Sequence, residues 1–279
     1  MQMQKKFKET YPFEKIKFAD ALARFADSLE SHVALDGEWT IKGFIDVFRN
    51  VYTISADTKV ISKLLELHIF PNFVEFADRT GYSIEPATHQ NWYPDLTFLN
   101  KANSDIKFAV DLKTTYTNEK NPNLCNGFTL GSHGTYFVSR DSKKNIQYPY
   151  NQYSGHFCLG IIYSRAALAN DVELKRVAIE HLADIRSVIK NFTFFVAEKW
   201  KLASDKAGSG NTANIGSIKG ISDILAGNGT FAKAGEEVFD EYWANYGKIK
   251  VPAGNGTFKN MTSFDEYIAY TNRSFAIKN

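Results

Sequence analysis

The chain has 279 residues, with 33 Lys+Arg against 31 Asp+Glu, 44% hydrophobic residues and 14% aromatic residues. That length and composition exclude a disordered tail, a coiled coil and a collagen-like fibre, and leave enough apolar surface to fold without a disulfide or a structural metal. The net charge of +2 argues neither for nor against nucleic acid, because acidic residues elsewhere can offset a basic groove.

Residues 12–33 read as an amphipathic helix, because Phe18, Leu22, Phe25 and Leu29 recur at spacings of three or four. Phe44, Val47, Val51 and Ile54 follow in a β-rich stretch. A second helix starts at SADTKVIS, with Ser55 or Asp57 as its cap and Val60, Ile61, Leu64, Leu65 and Leu67 as its stripe. Pro71 should kink or interrupt it, and a further helical piece runs to Arg79 before Gly81 ends it. Residues 95–99 predict a strand, 100–105 a turn and 106–114 a second strand. In that second strand Ile106, Phe108, Val110 and Leu112 alternate with Lys107, Ala109, Asp111 and Lys113. Asp111 and Lys113 therefore share the face opposite the apolar one.

FCLGIIYSR (157–165) is a near-continuous apolar run, as expected of a buried central strand. Residues 171–190 read as a helix on the loose periodicity of Val172, Val177, Ile179, Leu182, Ile185 and Ile189. NFTFFVAEKW (191–200) is a further strand, and 208–217 is a polar, glycine-rich loop. Short helices are predicted over 236–246 and 263–271. AGNGTF occurs at 226–231 and again at 253–258, and reads as two turns and not as a solenoid. No linker tract divides the chain. The pattern predicts an α/β fold: an N-terminal helical extension over 1–40, then a single domain over 41–279.

Cys125 and Cys158 form no zinc or redox spacing and read as two reduced thiols. No apolar run is long enough for a signal peptide or a spanning helix, so the expectation is a soluble cytoplasmic protein without a membrane partner. No histidine pair has metal spacing, and His68 and His89 read as structural or exposed.

The informative region is YPDLTFLNKANSDIKFAVDLKTTYTN. Hairpin pairing can bring Asp95 and Asp111 together at one edge of the sheet. Two convergent carboxylates make a hard oxygen site suited to Mg²⁺. Lys113 projects beside Asp111, where an ammonium can hold an attacking water or stabilise charge on a phosphate. The bare pattern, Pro-Asp followed by Asp-x-Lys, also fits a solvated strand face. The 208–214 segment has its own logic: Gly208 and Gly210 let backbone approach a ligand, Asn211 can bond adenine N6 and N7 together, and Thr212 and Ala213 can meet a thymine methyl. It equally fits an ordinary loop. It is no nucleotide-binding fingerprint, since Ala213 stands where the third glycine belongs.

The Pro-Asp…Asp-x-Lys hairpin resembles the PD-(D/E)xK nuclease superfamily. The blocks SADTKVIS, HQNWYPDLT, VDLKTTYTN, KNIQYPYNQY and AGSGNTANIGSI, in that order, resemble the EcoRV family of type II restriction endonucleases, from about residue 43 to about residue 246. The resemblance implies a restriction-endonuclease-like central mixed sheet flanked by helices, and Mg²⁺-dependent hydrolysis of double-stranded DNA by a homodimer. The target would be a GATATC-like palindrome cut to blunt ends, with bending of the DNA contributing to discrimination, and a cognate DNA methyltransferase in the same host. It also implies roles. Asp95 and Asp111 match the metal carboxylates, Lys113 the catalytic lysine and Glu66 an auxiliary helix acid that would join them as a catalytic and metal residue. Gln90 and Asn91 match a minor-groove loop, and Gly208, Gly210, Asn211, Thr212 and Ala213 the base-reading loop. Thr114, Thr115, Tyr116, Lys144 and Asn145 match phosphate-proximal and backbone-positioning residues. Ala213 replaces a threonine of the family pattern and Ala244 an arginine, which removes one hydroxyl contact and some backbone contacts. A structure- or repair-directed nuclease of the same superfamily, or a non-cleaving sequence-specific DNA-binding protein, is the alternative.

Overall fold

Phe18, Leu22, Phe25 and Leu29 form one buried stripe of α1 (Pro12–Val33) in a computed structural model that describes residues 11–89, 91–166, 174–208, 213–254 and 256–271. Two short strands follow, β1 (Ala34–Leu35) and β2 (Glu38–Trp39), then the hairpin of β3 (Gly43–Ile45) and β4 (Asn50–Thr53). Next is α2 (Thr58–Thr80). Its cap is Asp57, whose carboxylate accepts from Lys59 N and Val60 N, and Gly81 closes it at φ 82°. Pro71 does not interrupt this helix. Pro71 and Leu67 are both exposed, so the ring and the carbonyl it leaves unpaired lie on the solvent side.

The central strands are β5 (Tyr82–Pro86), β6 (Leu96–Asn100), β7 (Lys107–Asn118) and β8 (Asn121–Cys125). After β9 (Thr129–Ser132) and α3 (Thr135–Val138) comes the buried strand β10 (Gly155–Arg165). The helix expected over 171–190 is absent from its described part. Residues 176–178 form β11 and pair with β4, 179–184 make a 3₁₀ turn, and Ile189 already begins β12 (Ile189–Glu198). The apolar residues there are mostly β-branched, and the Val177–Val51 pair gives them a strand partner that no local helix could match. The chain ends with α4 (Lys199–Leu202), β13 (Ala203–Ala207), β14 (Asn214–Ser217), α5 (Ile221–Ala226), α6 (Glu236–Asn245), β15 (Lys250–Gly254), β16 (Thr257–Asn260) and α7 (Phe264–Thr271). Asn214–Ser217 is thus strand, where a loop was expected. The first AGNGTF closes α5 at Gly227 and the second turns the β15–β16 hairpin, so the repeat is two turns.

The main sheet runs β1-β2-β12-β10-β7-β6-β5, with β8 on the far part of β7. It is mixed: β7 and β10 are parallel and their other neighbours are antiparallel. Alternate residues feed two cores. Phe108, Val110, Phe157, Leu159 and Ile161 pack under α1 and α2, with Phe18 stacked on Phe108 at 4.3 Å. Ala109, Cys158, Ile162 and Phe195 pack on the other side against residues of β14, α5, α6 and α7. β7 is therefore interior and covered on both faces. Asp111 is only 7% exposed, and the pair expected at one edge of the sheet lies instead on an interior strand, where β7 runs past the start of β6. Among the described residues no helix is long and apolar enough to cross a membrane.

Candidate active site

β7 outruns β6. The two pair from Leu99–Lys107 to Leu96–Val110, and there β6 begins. Beyond Val110, β7 keeps β10 on one side, with Asp111 opposite Cys158 and Lys113 opposite Gly160. On the other side its next inward amide would have no strand partner. Asp95, the residue before β6, takes that place: Leu112 N–H donates to Asp95 Oδ2 at 2.7 Å. The ladder itself thus delivers Asp95 to Asp111. Pro94 can stand there because it lies ahead of β6, where the ladder asks for no amide from it.

Lys113 Nζ lies 2.7 Å from Asp111 Oδ2 and 3.7 Å from Asp95 Oδ2. Three charges thus converge at the end of a buried sheet. Burial, and then the charge of Asp111, push the Asp95 carboxyl up to about 7, against the lowering pull of Lys113 and of the Leu112 amide. Burial opposes the charge of Lys113, but Asp111 and Asp95 outweigh it and hold the ammonium well above its ordinary range. One cation does not satisfy two carboxylates, one of them buried and the other half-buried. A hard divalent ion that keeps most of its own waters fits such an oxygen pair.

The cleft at this point is lined by Ser62, Glu66, Ile69, Asp95, Leu112, Lys113, Thr114 and Ile161. Ser62, Glu66 and Ile69 sit at i, i+4 and i+7 and present one face of α2 to it. Glu66 is paired with Lys63 at 2.8 Å. Among the described residues no three His, Cys, Asp or Glu side chains form a metal cage, so Glu66 shares the cleft without joining the carboxylate pair. Nothing in the sequence around Ser62 and Ile69 marked them as lining residues beyond their spacing from Glu66.

The other expected residues are dispersed. Thr115 is buried and donates to Gly127 O at 3.2 Å, so its hydroxyl is turned away from the cleft. The Tyr116 hydroxyl accepts from Asn126 Nδ2 at 3.0 Å, and its ring lies under the Arg165 guanidinium at 3.9 Å. Lys144 and Asn145 are exposed, and the Asn145 carbonyl accepts from Tyr93 N, two residues before Asp95. Asn91 is exposed, while Gln90 lies outside the described residues. Gly210, Asn211 and Thr212 also lie outside them. The stems on either side are tied together: Gly208 N donates to Asn214 O, and His133 N to Ala213 O. His68 accepts from Trp39 Nε1 at 3.3 Å and His89 packs edge-on to Trp92, away from any ligand set.

A family profile described as "Restriction endonuclease EcoRV" matches residues 35–272. The Escherichia coli protein described as "Type II restriction enzyme EcoRV" is 37% identical over 232 residues, which cover 83% of this chain and 91% of that protein.

Proposed function

The chain belongs to the EcoRV family of type II restriction endonucleases and is a site-specific deoxyribonuclease; we propose that it is Mg²⁺-dependent and cuts double-stranded DNA at a GATATC-like palindrome, leaving blunt ends. The observation that carries the metal reading is the convergence of Asp95 and Asp111 on one ammonium, with Asp95 and Lys113 facing a cleft and Asp111 buried beside them. These two carboxylates would hold Mg²⁺, which when bound supplies Lewis-acid activation of the phosphodiester and of water. Lys113 then orients the attacking water and offsets the charge that develops on the phosphate. The Leu112 amide fixes Asp95, so the pair is set before substrate arrives. Glu66 acts as an auxiliary acid from the α2 side of the cleft, and Thr114 stands at its rim.

Gly208, Gly210, Asn211, Thr212 and Ala213 read bases from the major groove, and Gln90 and Asn91 approach from the minor groove. Thr115, Tyr116, Lys144 and Asn145 contribute to phosphate register, Thr115 through the backbone it braces. The Asn211 amide is the sequence-reading group: Asn211→Ala is expected to lower the ratio of kcat/KM on the cognate duplex to that on a one-base variant by about 10- to 100-fold. Unchanged selectivity in that competition assay would remove Asn211 from readout.

A palindrome requires two copies of the chain. Support for a homodimer comes from the β3–β4 hairpin, where Phe44, Ile45, Val47 and Phe48 are 52%, 61%, 90% and 81% exposed. Four neighbouring apolar side chains in water mark an interaction surface. Phe48→Asp is expected to convert the dimer to a monomer by analytical ultracentrifugation; a variant that sediments with the wild type would place the interface elsewhere. A host with this nuclease needs a methyltransferase for the same site.

Metal dependence is tested on unmethylated phage DNA with the protein stripped by EDTA. Discrete fragments that form only after Mg²⁺ is restored support the reading. Binding without cutting at any Mg²⁺ concentration would favour a non-cleaving DNA-binding protein instead.

A further inference from the structure

Lys199 is a buried amine that the hydrolytic site does not use. It opens α4 at the end of β12 and is 4% exposed. Its neighbour Glu198 pairs with Lys15 and Lys201 instead. Among the described residues Lys199 Nζ has no hydrogen-bond partner. It lies over the rings of Tyr93, Phe137 and Tyr150, at 4.9, 5.4 and 5.5 Å from their centroids. Burial pushes its amine down to about 7, against the raising fields of Asp111 and Asp240. Ring faces recover only part of the hydration that an ammonium loses. A methionine would fill the same space without that cost. The position thus holds an ionisable group against stability, a local inconsistency that folded proteins concentrate at functional sites.

The same amine meets two elements of different function. One is Tyr93, from which the chain runs through Pro94 to Asp95. Tyr93 is fixed on three sides: its N–H donates to Asn145 O, its hydroxyl shares a 2.9 Å hydrogen bond with His156 Nδ1, and its ring faces Lys199. The other is Gly131 of β9, where an added β-carbon would stand 3.6 Å from Lys199 Nζ. The next residue, Ser132, pairs with Asn214 of β14, and His133 N donates to Ala213 O. The 208–214 segment is rooted in this ladder. Lys199 therefore sits between the strand that anchors that segment and the turn that delivers Asp95.

We propose that Lys199 is a positioning residue that couples the base-reading ladder to the Asp95 carboxylate through the face of Tyr93. The inference rests on reading Asp95 and Asp111 as the metal carboxylates and 208–214 as the base-reading loop. A displacement of β9 when the loop engages bases would change the gap at Gly131 and, through the Lys199 amine, the seat of Tyr93.

The test is Lys199→Met, which keeps length and bulk and removes the charge, with Lys199→Gln as a second variant. On a GATATC duplex kcat is expected to fall about tenfold or more, with KM within about twofold of wild type, as for residues that orient metal ligands. The Tm is expected to equal or exceed that of wild type, and the preference over a one-base variant to shrink. Wild-type kcat in both variants would overturn the proposal. So would a fall in kcat that tracks a fall in Tm, the mark of a purely structural side chain. Asp111→Ala in the same assay separates the two levels. If it still cuts, the reading of the site fails; if it is inactive while Lys199→Met behaves as wild type, only the coupling fails.

Discussion

Asp111→Asn is expected to lower the single-turnover cleavage rate by on the order of 10³-fold or more, about 4 kcal/mol of transition-state stabilisation, while cognate DNA binding in Ca²⁺ stays within a few-fold. Asparagine keeps the shape of the side chain and removes the charge that, with Asp95, would hold the metal. Lys113 would still have Asp95 at 3.7 Å as its partner, so the folded state keeps an ion pair in the cleft. The variant also relieves the repulsion that pushes Asp95 up to about 7. A stability change within about 1 kcal/mol is therefore expected without metal. Asp111→Ala should be equally inactive. Lys113→Ala should be inactive as well, but it leaves the buried Asp111 and the half-buried Asp95 facing each other with no cation and is expected to cost about 1–3 kcal/mol of stability in the absence of Mg²⁺. Denaturation curves with and without Mg²⁺ would show the difference. Wild-type cutting by Asp111→Asn would refute the site.

The second large effect concerns stability. Phe18→Ala is expected to destabilise the protein by about 3–5 kcal/mol, a large part of the 5–15 kcal/mol typical of folded proteins. Phe18 is 1% exposed and stacks on Phe108 at 4.3 Å. The rings of Tyr82, Phe98 and Phe157 surround it at 5.1, 5.3 and 5.6 Å. Removing it opens a cavity at the meeting point of α1, β5, β6, β7 and β10, directly beneath the strands that carry Asp95 and Asp111. The measurement is urea denaturation, read as a lower midpoint at unchanged slope. A loss below about 1 kcal/mol would mean that α1 is an appendage to the sheet and not part of its core.

Much of the architecture was legible where one local rule decided it. The three-and-four spacing of Phe18, Leu22, Phe25 and Leu29 and the Asp57 cap needed no tertiary information. Two expectations, at Pro71 and over 171–190, failed because the surroundings in the fold, and not the local sequence, decided them. Pro71 sits inside α2 because its ring and the freed carbonyl face solvent. Residues 176–178 are strand because Val51 lies opposite Val177. The Asp111 face of β7 is buried because a second core, built largely from residues after 129, covers it.

The site followed the same division. Asp95, Asp111 and Lys113 were readable because the hairpin brings them together within nineteen residues of chain, and the structure places them around one ammonium. Thr115 was grouped with phosphate neighbours, yet its hydroxyl is turned onto Gly127. Lys199 gave no signal, since it falls in the 191–200 stretch, which reads only as a further strand. Only the fold brings it to Tyr93, 106 residues earlier.

The most direct test of the restriction-enzyme reading is to digest unmethylated phage DNA with purified protein and Mg²⁺ and to sequence the fragment ends. Blunt ends at the centre of GATATC are expected at every cut. Discrete cuts at another palindrome would contradict the assigned sequence and point to Ala213 and the loop around it. Ends scattered without sequence preference would contradict base reading by the 208–214 loop.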